Sequence, residues 1–132
     1  MSLWLLLPSV TDSTMLTATR AFVIEEEALV ALDIQDVLMR HGATEVLHFR
    51  NVDEAARHAA QLQGFTLAIV EARLGAAEVV AFTRELSAAG IGTVVMSADQ
   101  ASADLFPGTV PLAKPFDATG LVAACVAAGR TR

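Results

Sequence analysis

From Arg20 to about Ala128 the chain alternates short apolar runs with amphipathic stretches five times over, and few folds accept that pattern. It is the mark of repeated βα units around a parallel sheet, where a strand covered by helices on both faces reads as a continuous apolar run. The predicted strands are Ala21 to Ile24, Glu45 to Phe49, Leu67 to Val70, Gly92 to Met96 and Val110 to Ala113, each bounded by a turn residue or a charge. The third and fourth are uninterrupted apolar runs, as expected of central strands.

The stretches between them carry helical periodicity. Residues 27–41 place Val30, Ile34, Val37 and Leu38 on one face and Asp33, Asp36 and Arg40 on another, and Gly42 follows as a stop. Val52 to Leu62 and Ala76 to Ala89 read the same way, with Asn51 as the N-cap of the former and Gly90 closing the latter. Ser97 to Pro107 is short, polar and broken by Pro107-Gly108, which leaves room only for a short, irregular fourth helix. The last helix starts on Asp117 as a cap and runs to about Ala128. The expected fold is α/β: a flavodoxin-like, doubly wound (βα)5 sandwich with parallel strand order 2-1-3-4-5.

A chain of 132 residues with 54% hydrophobic composition is the size of one domain and can bury a core. The expected division is an N-terminal extension over residues 1–19 and the domain over residues 20–132. With 9 basic and 15 acidic residues the net charge is -6, and no Lys/Arg cluster follows a path that would track a phosphate backbone. Direct nucleic-acid binding is therefore not expected. The lone cysteine, Cys125, falls in the apolar helical pattern of Leu121, Val122 and Val126 and reads as core, which fits a reducing, cytoplasmic location.

The apolar start Leu3-Trp4-Leu5-Leu6-Leu7 has no basic flank, and Pro8 cuts it far short of the roughly 20 residues a bilayer span needs. It is not expected to be a signal peptide or a membrane span. Met15 stands where a compact version of the domain could begin, so residues 1–16 read as an extension, part of a cloning leader or an upstream start. Trp4 to Leu7 is expected to pack in a groove of its own domain or on a neighbouring chain, and a homodimer is left open.

In an open parallel sheet, function sits at the carboxyl ends of the strands. After the first strand come Glu25, Glu26 and Glu27, after the third Glu71, after the fourth Ser97, and after the fifth Lys114-Pro115. Each has a bland explanation alone: acids at a helix start favour the helix dipole, a serine after a strand caps the next helix, and a lysine before a proline is solvated. Together, carboxylates, a hydroxyl and a lysine converge on one crevice, the composition of a phosphoryl-transfer or cation site. The histidines His41, His48 and His58 fall at unrelated phases and suggest no metal ligation.

The segments Phe22 to Asp33, Leu67 to Leu74, Val94 to Ser97 and Val110 to Phe116 resemble those of two-component response-regulator receiver domains over residues 20–128. The most specific piece is Leu112-Ala113-Lys114-Pro115-Phe116 after a strand, with the acidic cluster upstream. The resemblance implies that Glu25 and Glu26 match the acidic pair that holds Mg²⁺, that Ser97 and Lys114 match the hydroxyl and lysine that contact the phosphoryl group, and that the Lys114-Pro115 bond is cis. It also implies a signalling protein as partner, such as a histidine kinase, and no membrane.

The departures from the family matter more. Its phospho-accepting aspartate is Glu71 here, and no Asp lies between Gly64 and Ser97 to replace it by a register slip. A glutamate carboxylate lies about 1.5 Å further out, away from the point where metal, phosphate and lysine are in line. A Mg²⁺ site built from Glu25, Glu26 and Glu71 is expected to be weak, because the ion demands near-octahedral geometry. The family's aromatic switch residue, three positions before the lysine, is Pro111, and the chain has no tyrosine. These departures point to a non-enzymatic pseudo-receiver that works by protein–protein interaction. An active receiver phosphorylated on Glu71 by a histidine kinase is the second reading. A flavodoxin-like nucleotide or cofactor binder is the third, disfavoured because no glycine-rich phosphate loop follows the first strand.

Overall fold

The computed structural model describes residues 15–72, 76–98 and 105–131. Five strands form one parallel sheet: β1 (Arg20–Ile24), β2 (Glu45–Phe49), β3 (Leu67–Glu71), β4 (Gly92–Ser97) and β5 (Val110–Ala113). Their order is β2-β1-β3-β4-β5, as the sequence predicts. The described helices are α1 (Ala28–Arg40), α2 (Val52–Arg57), α3 (Ala76–Ala88) and α4 (Ala118–Thr131). No helix among the described residues is long and apolar enough to cross a membrane.

The period-two geometry of β1 sends alternate side chains into two cores. Ala21 and Val23 join Ile34, Val37 and Leu38 of α1 and Leu121, Val122 and Cys125 of α4 on one face. Phe22 and Ile24 join Ala55 of α2 and Val79 and Leu86 of α3 on the other. Phe22 is fully buried among Phe49, Phe65 and Phe82, with ring centroids 6.2, 6.4 and 6.4 Å away. Pro111 lies in β5, an edge strand, where a residue without an amide hydrogen is tolerated.

Local signals hold where side chains can act on the backbone. Asn51 Oδ1 accepts from the Glu54 amide at 2.8 Å, and Asp117 Oδ1 accepts from the Gly120 amide at 2.8 Å, so both expected caps form. Gly42 has φ +107°, and a Cβ there would lie 3.0 Å from the Thr17 nitrogen. Gly92 opens β4 so close to α4 that a Cβ would sit 2.5 Å from the Ala128 carbonyl oxygen. The continuous helix expected over Val52 to Leu62 is broken: α2 ends at Arg57, and a 3-10 turn covers Ala59–Leu62. His58 accounts for the break, because its Nδ1 donates to the Glu54 carbonyl at 2.8 Å while its own amide turns to Ala55. The helix would have used that Glu54 carbonyl for the His58 amide.

Residues 15–19, just ahead of β1, are tied to the domain. Leu16 is buried in the α1/α4 core, its amide donates to the His41 carbonyl at 2.8 Å, and the Thr44 amide donates to the Thr19 carbonyl at 2.9 Å. The packing expected for Trp4 to Leu7 and most of the irregular segment expected between β4 and β5 lie outside the described residues.

Candidate functional site

The carboxyl ends of β1, β3 and β5 meet around one buried ion cluster. Glu25 follows β1, where its amide extends the ladder to the Phe49 carbonyl at 3.0 Å and its side chain is fully buried. Glu71 is the last residue of β3 and 2% exposed. Lys114 follows β5 and is held beside β4 by its amide, which donates to the Ser97 carbonyl at 3.0 Å. Its ammonium reaches back between the two carboxylates, donating to Glu25 Oε1 at 3.2 Å and to Glu71 Oε2. Glu25 Oε2 accepts from the Glu27 amide at 3.1 Å.

Burial alone would push the Lys114 ammonium down. The hydrogen bond and charge of Glu71, reinforced by those of Glu25, override this and hold it above the ordinary lysine value of 10.5. One ammonium thus serves two buried carboxylates.

The other sequence-predicted residues are placed by the strands and turns that carry them. Glu26 is exposed in the bend after β1, so the acidic pair is split between the interior and the surface. Ser97 is the last residue of β4 and half-buried. Pro115 is exposed, and the Lys114-Pro115 bond is cis, as expected. Pro111 is exposed on β5. Cys125 is buried in α4, and burial pushes its thiol up to about 12. His48 was not expected at the site, yet its Nε2 donates to the Glu25 carbonyl at 2.7 Å. The signal lay in the sheet register rather than in any histidine spacing, since β1 and β2 pair Val23 with His48.

The arrangement does not fit the Mg²⁺ ion that the resemblance implies. The Lys114 ammonium takes one oxygen of Glu25 and one of Glu71, the Glu27 amide takes the second oxygen of Glu25, and Glu26 faces solvent. Among the described residues no group of three or more His, Cys, Asp or Glu could hold a metal ion.

A five-stranded parallel sheet in this order, helices on both faces and an acid–lysine cluster at the strand ends define the receiver-domain fold of response regulators. Solved structures of such proteins superpose on most of the chain. A response regulator from Thermotoga maritima matches with TM-score 0.72 and 19% identity, over 86% of this chain and 98% of that one. SdrG from Pseudomonas melonis Fr1, in its BeF3-activated conformation, matches with TM-score 0.67 and 27% identity, over 85% and 96%. The response regulator PhyR from Brucella abortus matches with TM-score 0.65 and 20% identity, over 96% of this chain and 52% of that longer one. No protein-family model matches the sequence, and no curated protein matches it.

Proposed function

We propose that the chain is a receiver-like module of a two-component pathway that is not phosphorylated and that acts, without enzymatic activity, by binding a protein partner in the cytoplasm. The observation that carries this reading is the Lys114 ammonium bonded to both Glu25 and Glu71. In a working phosphorelay site the lysine answers the charge of an arriving phosphoryl group. Here its charge is already answered by two buried carboxylates, and Glu71 offers no short nucleophile aligned for in-line attack. Glu71 acts as a fixed, partial stand-in, carrying about one charge where a phosphoryl group would add roughly 1.5 to 2.

The partner is a histidine kinase or another signalling protein, and the net charge of -6 disfavours direct contact with nucleic acid. Intact-mass measurement after incubation with acetyl phosphate and Mg²⁺ tests the reading. The expected result is no phosphoryl adduct. An adduct mapped to Glu71 would overturn it and make the protein an active receiver.

A further inference from the structure

Glu25 is bonded at every polar position it has. Its amide donates to the Phe49 carbonyl, its Oε2 accepts from the Glu27 amide and its Oε1 accepts from the Lys114 ammonium. The remaining group is its carbonyl, which begins the Glu25–Glu26 peptide. In a parallel ladder with this register, the next amide to reach that carbonyl would be that of Asn51. β2 ends at Phe49, however, and Asn51 belongs to the cap of α2. The donor standing at the carbonyl is the His48 ring, with Nε2 2.7 Å away. A carbonyl only accepts, so Nε2 carries the proton.

The sheet places the ring for this task. β1 and β2 pair Val23 with His48, and Val23 faces the core shared with α1. Val46, two residues earlier and on the same face of β2, packs against that core, and its carbonyl accepts from Gln35 Nε2 of α1 at 2.7 Å. The half-buried imidazole therefore reaches from the α1 side of β2 into the turn that joins β1 to α1.

We propose that His48 is the positioning residue of the buried cluster: by holding the Glu25–Glu26 peptide it keeps the Glu25 carboxylate turned in to Lys114 and leaves Glu26 outside. Successive side chains at a strand end point to opposite sides, so the plane of that one peptide decides which acid of the Glu25-Glu26-Glu27 run faces the interior. A carbonyl that loses its donor turns toward water. Turning the Glu25–Glu26 peptide also displaces the Glu27 amide, the donor that steadies the second carboxylate oxygen of Glu25. The inference concerns how the acid–lysine cluster is held, so a phosphoryl adduct at Glu71 would leave it standing.

Lys114 is the only lysine in the chain, so side-chain amine labelling of the native protein, mapped by mass spectrometry, reads the cluster directly. His48→Leu should speed Lys114 labelling about tenfold, the order expected for loss of one hydrogen bond, and should speed exchange of the Glu27 amide with it. His48→Asn, whose shorter amide falls short of the carbonyl, should do the same. His48→Gln, whose amide nitrogen extends about as far as Nε2, should return both readouts toward wild type. Val46→Ala, a packing change on the same strand, should lower Tm without speeding either, because labelling passes through local opening of the turn. Wild-type labelling in both His48→Leu and His48→Asn overturns the proposal. Failure of His48→Gln to rescue overturns it in favour of a packing role. Equal acceleration by Val46→Ala overturns it in favour of an effect on global stability.

Discussion

Removing the Lys114 charge is the perturbation to which the cluster is most sensitive. At the 3.2 Å separation from Glu25 Oε1, one lysine–carboxylate attraction amounts to about 5 kcal/mol gross at an effective dielectric near 20. Desolvation offsets much of that while the pair is intact, but deleting one partner leaves the other buried and uncompensated, at about 3–5 kcal/mol. In Lys114→Met two carboxylates, 0% and 2% exposed, are left facing the same point. A loss of about 3–5 kcal/mol in a domain of this size lowers Tm by about 10–18 °C. Thermal unfolding followed by circular dichroism at pH 7 measures it.

The pH dependence identifies the cause. Without the ammonium the two carboxylates repel each other across the site. On the alkaline side the folded-state value of Lys114 is raised, so its contribution is fully present below 10.5 and is lost only as the pH rises through the raised value. The gap between wild type and variant therefore stays constant from pH 8 to 10 and narrows above. Adding Glu71→Gln to Lys114→Met removes one of the stranded charges and should restore part of the lost Tm. A Lys114→Met variant as stable as wild type at pH 7, or a gap that does not change with pH, would refute the argument.

Glu71→Asp withdraws the carboxylate by about 1.5 Å and returns a nucleophile beside Ser97 and Lys114. Slow, partial phosphorylation by acetyl phosphate and Mg²⁺ is expected by intact mass, with little change in surface amide exchange, and rapid, complete labelling would contradict the role given to the rest of the cluster. Phe22→Ala should cost about 3–5 kcal/mol in chemical denaturation, because it empties the centre of the α2/α3 core. Gly92→Ala drives a Cβ into the Ala128 carbonyl and should cost about 1–3 kcal/mol, with faster amide exchange along α4 as the strand and helix part. Cys125 should resist thiol reagents in the native state and react only in denaturant, since its thiol is buried and pushed up to about 12.

The sheet was legible because the strands of a doubly wound fold are apolar on both faces and the helices between them are not. The caps at Asn51 and Asp117 were legible because each is a local bond from one side chain to a backbone three residues on. The break in α2 was not, since the competition of His58 Nδ1 for the Glu54 carbonyl depends on a rotamer that composition does not report. At the site, the meeting of Glu71 and Lys114 followed from topology alone, as strand ends 43 residues apart are brought to one edge. The different fates of Glu25 and Glu26 did not. Neighbouring residues at a strand end point to opposite sides, and only the direction of the turn into α1 decides which carboxylate is buried.

That division bears on how such a module can carry information. A ligand or modification shifts a conformational equilibrium only by its differential affinity for the two states. A phosphoryl group gains such a difference when a lysine is free to move toward it. Lys114 begins its reach already spent on two buried anions, one fixed by the Glu27 amide and the other at the end of the central strand β3. Any arriving anion must first break these bonds in a buried setting, where leaving a carboxylate unpaired costs several kcal/mol. On the proposed reading the outlet is closed as well, because the position three before Lys114 carries Pro111, an exposed residue of an edge strand with no aromatic ring to swing. Input and outlet are then both closed at the strand ends. On that reading the cluster's part is to hold the ends of β1, β3 and β5 fixed, so that the module presents one surface to its partner.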